Sequence, residues 1–115
     1  MLAKPYRFHG YASLKFVYSK GKQVRLQQLS LKYHPNQRRA DSRCAVVVSK
    51  KVAKKAPTRN RIRRRVYEVL RRRWSLITSP HDIIITVFDE KIADMPAKEL
   101  DRLIDTLLTR AHLYK

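Results

Sequence analysis

The sequence predicts an α+β protein, a small α-β sandwich in the order helix, two or three strands, basic helix, strand, helix. Three observations predict it. Short alternating or β-branched apolar runs of strand length lie near residues 24–33, 44–48 and 82–88. Two segments, 62–74 and 100–111, instead repeat apolar residues every three or four positions, the period of a helix with one buried face. The chain is 115 residues long, 43% hydrophobic, with only 2 Gly and 5 Pro, which suits one small core and not low-complexity disorder. Residues 1–115 therefore read as a single domain.

Residues 13–20 read as a short helix with Ser13 as candidate N-cap, Leu14, Val17 and Tyr18 on adjacent turns, and Gly21 closing it. Phe16 falls off that stripe. Residues 24–33 contain the alternation Leu29, Leu31, Tyr33 against Ser30, Lys32, His34, so Ser30 and Lys32 are expected to face away from the leucines. The strand is expected to stop at the turn signal His34-Pro35-Asn36. A polar connection, 36–42, leads to the continuous run Cys44 to Val48, suited to a central strand whose exit is Ser49, Lys50 and Lys51. The long helix that follows has Pro57 near its start and Thr58 as candidate N-cap, with Ile62, Val66, Val69, Leu70 and Trp74 on a narrow buried stripe. Asp82 to Phe88 is the strongest strand signal in the chain. Pro96 opens a last amphipathic helix carrying Leu100, Leu103, Ile104, Leu107, Leu108 and Ala111.

Charge narrows the function. The chain holds 27 Lys and Arg against 9 Asp and Glu, a formal net charge of +18, far more than solubility needs. Its distribution is uneven: residues 76–115 carry −2 and residues 1–75 carry +20. Between positions 50 and 73 there are 12 basic residues and Glu68 as the sole acid, so this helix repels itself unless phosphates screen it. A lipid surface is the competing polyanion, but the basic run lacks the broad aromatic and leucine face that inserts into headgroups. No apolar stretch approaches the ~20 residues that span a bilayer. Residues 1–8 carry Lys4 and Arg7 with no following apolar run, so neither a secretory signal nor a membrane partner is expected, and the cytoplasm is the expected location.

A catalytic constellation is missing from the pattern. Asp41 and Glu68 are the only acids among the first 75 residues, and the rest are spread along the last helix and its approach, which gives no paired-carboxylate or two-metal arrangement. His9, His34, His81 and His112 lack metal-ligand spacing, and Cys44, set among Ala45, Val46 and Val47, reads as a small hydrophobe. No small-molecule substrate is indicated. The cluster Arg59, Asn60, Arg61, Arg64 and Arg65 reads as RNA contact, because guanidinium forks bind phosphate oxygens bidentately and asparagine offers a neutral donor and acceptor. For Arg63 or Arg71 alone, a solvated helix face is as good a reading.

The stretch Val48-Ser49-Lys50-Lys51-Val52-Ala53-Lys54-Lys55, a short spacer, and then Arg59-Asn60-Arg61-Ile62-Arg63-Arg64-Arg65 resembles the signature of the bacterial ribonuclease P protein subunit. The resemblance extends from about Tyr6 to the C-terminal Leu113-Tyr114-Lys115. It implies a left-handed βαβ crossover around the basic helix, an exception to the usual hand. It also implies that a large partner RNA, ribonuclease P RNA, performs the Mg2+-dependent removal of the 5′ leader from precursor tRNA, with the metal held mainly by RNA and substrate. By position, Lys50, Lys51, Lys54, Arg59, Asn60, Arg61, Arg64 and Arg65 match the family's RNA-facing region. The leader cleft maps onto Leu14 and Tyr18 of the first helix with Ser30 and Lys32 of the strand opposite. Leu14 stands where phenylalanine is usual and Lys32 where an aromatic is, which implies a leader grip with less stacking and more electrostatics. The alternative is a small basic ribosomal or RNA-chaperone protein without cleavage activity. A DNA-reading helix fits less well, since crowded arginines offer few base-specific side chains.

Overall fold

In the computed structural model, which describes residues 7, 11–38, 40–78 and 80–115, four strands form one sheet in the order β1-β2-β4-β3. The strands are β1 (Lys22–Arg25), β2 (Leu29–Pro35), β3 (Arg43–Val48) and β4 (His81–Val87). Three helices pack on them: α1 (Tyr11–Lys20), α2 (Ala56–Arg73) and α3 (Ala97–Arg110). β1 and β2 form an antiparallel hairpin, β2 pairs antiparallel with β4, and β3 runs parallel to β4 with α2 between them in sequence. The mixed α+β arrangement is the predicted one, with three strands ahead of the basic helix.

Strand alternation divides the side chains between two layers. Leu29, Leu31, Cys44, Val46, Val48, Ile83, Ile85 and Val87 face the main core, which α2 and α3 complete with Ile62, Val66, Tyr67, Leu70, Leu100, Ile104, Leu107 and Leu108. Each fully buried Leu or Ile contributes about 1.5–3 kcal/mol relative to exposure. The opposite face carries a smaller cluster, where Val17 of α1 covers Ala45 and Ile84, with Leu14 and Val47 at its margin. The sandwich is thus thick on one side and one short helix deep on the other.

Several boundaries differ from the sequence reading, each for a local reason. The single strand expected over 24–33 is two strands, joined by a tight turn in which the Leu26 amide donates to the Leu29 carbonyl at 2.8 Å. That turn is built on Gln27 and Gln28, without the Gly, Pro or Asn that would announce it. β2 continues through Pro35, because β1 ends opposite Tyr33 and a proline beyond that point costs no ladder bond on the open side. α1 begins at Tyr11, which puts Ser13 inside the helix and not at its cap. Likewise α2 begins at Ala56, with extended Lys55 as its N-cap and Thr58 within the first turn. His9 lies outside the described residues.

Gly21 closes α1 as expected, though not through a left-handed conformation. Its amide donates to the Val17 carbonyl at 2.7 Å. A Cβ there would lie 2.5 Å from that oxygen and 2.9 Å from the Tyr33 carbonyl oxygen, so glycine is what lets α1 seat closely on β2.

Candidate nucleic-acid interface

β3 is an edge strand, and its outer side would leave backbone groups open if nothing covered them. One side chain and one backbone bridge from elsewhere cover it. The Tyr67 hydroxyl of α2 accepts from the Val46 amide at 3.2 Å, and Arg7 forms a bridge with Cys44 while its guanidinium sits 5.9 Å from the Tyr67 ring centre. Burial pushes the Tyr67 phenol above its ordinary pKa. Tyr67 was absent from the predicted stripe, although its place beside Val66 widens that stripe toward β3.

Along this covered edge runs a groove of about 680 Å³. Its floor is Ala45, Val46 and Val47, one wall is Leu14 of α1, and the other is Pro57, Asn60, Arg63 and Arg64 of α2, with Arg7 and Tyr67 at the end. Small residues at 45 and 47 keep the floor low, while the α2 wall supplies positive charge and an amide. Arg63 donates to the Asn60 side-chain oxygen, which fixes that amide and leaves its NH2 group as a donor.

The basic residues of the sequence signature divide by what they already hold. Arg59 donates from Nη1 to the carbonyls of Ala53 and Lys54, both at 2.9 Å, and so clamps the turn that begins where Val52 and Ala53 donate to the Ser49 carbonyl. Lys50, Lys51 and Lys54 project exposed from that turn. Arg61 donates to the Ala93 carbonyl at 2.7 Å, with Asp94 a further 3.6 Å contact that is largely solvent-exposed. Arg65 donates to the carbonyls of Ile92 and Met95. Arg61 and Arg65 thereby pin the 3-10 turn Glu90–Ala93 to α2. Arg64 is exposed, lines the groove, and makes no side-chain hydrogen bond or ion pair with another described residue.

Two more arginines are committed. Arg71 pairs with Glu68 one turn back, and that guanidinium holds the Glu68 carboxyl down at about 2. Arg73 reaches across to α3, contacting Asp101 at 2.5 Å, Asp105 at 3.0 Å and the Tyr114 hydroxyl at 2.9 Å. The acids of the C-terminal third thus serve partly as anchors for the basic helix. Asp82 is another anchor: 6% exposed, it is held by a bidentate pair of 2.9 Å bonds from Arg43 and by the Asn36 amide at 2.9 Å. Asp82 thus sits in β4 as its strand signal indicates, but in a buried ion pair that the sequence did not announce.

The four residues assigned to the leader cleft do not form one open surface. Leu14 lines the groove. Tyr18, 39% exposed, meets Lys32, whose Nζ donates to the Tyr18 carbonyl at 2.9 Å and lies 5.1 Å from the ring centre. Ser30 faces away from the leucines as expected, yet it is 3% exposed and closed to a ligand. The alternation gives a residue's face but not what lies over it. Cys44 is fully buried and burial drives its thiol pKa far up, so it behaves as a hydrophobe. Among the described residues, no group of three or more His, Cys, Asp or Glu could hold a metal ion, and no helix is long and apolar enough to cross a membrane.

A basic α+β sandwich with a lysine turn, an arginine helix and a small-floored groove between them defines an RNA-binding protein. A model of the ribonuclease P family matches residues 2–112, and the chain belongs to that family as the protein component. It is 32% identical over 112 residues to the ribonuclease P protein component of Chloroflexus aurantiacus, covering 97% of this chain and 82% of that one. A relative of the same name from Cyanothece is 31% identical, covering 76% and 78%. Among solved structures, the RNase P protein of Staphylococcus aureus superposes with a TM-score of 0.85 at 26% identity over 96% of this chain and 98% of the other. The Thermotoga maritima RNase P protein, at 23% identity over 84% and 89%, shares the fold with a TM-score of 0.75. The protein is therefore a subunit of a ribonucleoprotein endoribonuclease of tRNA processing, in which the partner RNA is the catalyst. Membership answers the ribosomal and chaperone alternative.

Proposed function

We propose that this chain grips ribonuclease P RNA through the exposed Lys50, Lys51 and Lys54 of the turn and Arg64 of α2, while the groove receives the 5′ leader of precursor tRNA. Arg59, Arg61 and Arg65 act mainly by holding that surface in shape. One observation carries the reading: the groove joins an apolar floor to a wall bearing Asn60, Arg63 and Arg64, so bases and phosphates of one extended strand both find partners. Tyr18 and Lys32 supply an aromatic face and a cation at the other end of α1.

Catalytic Mg2+ is held by the RNA and the substrate, and it supplies the activated water and charge neutralisation of phosphodiester hydrolysis. The chain's own part is electrostatic. Two polyanions repel, and a protein of +18 between them lowers that repulsion and fixes the leader's path. The cytoplasm, where precursor tRNA is made, is the place of action.

The test is binding of precursor tRNA and of mature tRNA to the holoenzyme reconstituted with wild-type chain, Leu14→Ala or Tyr18→Ala. The expected result is several-fold weaker binding of leader-bearing substrate with mature tRNA unchanged, since a base stacked on the Tyr18 ring is worth about 1–3 kcal/mol and Leu14 supplies apolar contact to the strand. Equal losses for both RNAs would remove the leader from α1.

A further inference from the structure

A second cavity, of about 760 Å³, lies on the opposite flank of α1 and is lined by Phe16, His34, Pro35, Asn36, Gln37, Arg38, Arg43 and Asp82. Phe16 and Leu14 are two residues apart, hence about 200° around the helix, so the groove and this cavity cannot share one strand of RNA lying flat. Phe16 is 53% exposed and contributes nothing to either buried cluster. Its ring meets His34 edge to face at 5.1 Å, which sets two aromatic surfaces as the walls of an open site.

The rest of the cavity is complementary to a nucleotide. Its base is rigid, because Arg43, Asp82 and Asn36 neutralise one another there, leaving no bare carboxylate to repel a phosphate. The Arg38 amide donates to the Asn36 side-chain oxygen at 3.3 Å, which shapes the turn after β2 and leaves the exposed Arg38 guanidinium and Gln37 amide at the rim. An aromatic wall, an uncharged amide able to meet a base edge, and a free guanidinium for phosphate are the chemistry of single-stranded RNA recognition. We propose that this cavity binds one unpaired RNA nucleotide, its base against Phe16 and His34 and its phosphate on Arg38, separately from the leader groove. The inference rests on the reading of the chain as an RNA-gripping subunit, and its nucleotide comes from either the catalytic RNA or the substrate.

The experiment compares the wild-type chain with Phe16→Ala, His34→Ala and Phe16→Tyr in two measurements. One is the affinity of the chain for ribonuclease P RNA. The other is the affinity of the assembled holoenzyme for precursor tRNA. Thermal midpoints of the exposed-site variants should match wild type. Phe16→Ala is expected to weaken one of the two affinities by roughly fivefold, the lower end of what a stacking ring is worth, with Phe16→Tyr restoring it. Loss confined to the first measurement assigns the nucleotide to the catalytic RNA, and loss confined to the second assigns it to the substrate. Unchanged affinities for both alanine variants would overturn the proposal while leaving the leader reading standing, because that reading is tested separately, by whether Leu14→Ala and Tyr18→Ala weaken leader-bearing substrate more than mature tRNA.

Discussion

Replacing Arg65 and Arg64, neighbours in one arginine run, should have opposite consequences. Arg65→Ala removes the charged donor from two carbonyls, those of Ile92 and Met95, and both residues are buried. A hydrogen bond from a charged group contributes about 1.5–3 kcal/mol, and Arg65 is only half-buried, so the low end applies and the pair is worth about 3 kcal/mol. At roughly 4 °C per kcal/mol for a domain of this size, the midpoint should fall by about 12 °C. Arg64→Ala touches no internal partner, and its cost should stay within about 0.5 kcal/mol, or ~2 °C. The RNA assay reverses the order. Loss of one phosphate contact at Arg64 should lower the slope of log K against log salt by about 0.9. Calorimetric scans and a salt titration of RNA binding suffice. An Arg65→Ala chain as stable as wild type, or an Arg64→Ala chain with an unaltered slope, would refute the division of the arginines into those that hold the fold and those that hold RNA.

Two further predictions concern the scaffold. Gly21→Ala should destabilise by about 1–3 kcal/mol in denaturant melts, because the added Cβ meets backbone oxygens that cannot rotate away; a neutral change would mean that α1 does not seat closely on β2. Tyr114 has its phenol raised to about 12, by burial first and by its 2.7 Å bond to Asp105 second. A folded pKa above the ordinary 10 means that the folded state keeps a proton the unfolded chain loses, so this contribution is complete below pH 10 and disappears as pH rises toward 12. Tyr114→Phe should flatten the fall of stability over that window, and an identical alkaline profile in the two chains would contradict the linkage.

Much of the architecture was legible because its signals are periodic. The stripe of α3 and the run Asp82 to Phe88 each admit one structure, and both form within a residue of the reading: β4 is His81–Val87, leaving Phe88 outside, and α3 is Ala97–Arg110 with Ala111 as its C-cap. The β1–β2 turn was not legible, since two glutamines carry no turn preference and only the Leu26 to Leu29 bond defines it. The site was legible as chemistry and not as geometry. Sequence places arginines together, but it cannot tell which guanidinium finds a carbonyl: Arg61 and Arg65 do because the 3-10 turn at Glu90–Ala93 comes back against α2 from some thirty residues away. Ser30 failed for a related reason, as burial depends on what a distant segment lays over a face. Tyr67 could have been found by asking what satisfies the outer amides of an edge strand, once β3 is known to be one.

The most direct measurement is cleavage of end-labelled precursor tRNA at low Mg2+ by ribonuclease P RNA with the chain, by the RNA without it, and by the chain alone. The expected result is stimulation that requires the RNA, release of the 5′ leader, and no product from the chain by itself. RNA binding without stimulation would contradict the role given to the groove, and cleavage by the chain alone would contradict the assignment of catalysis to the RNA.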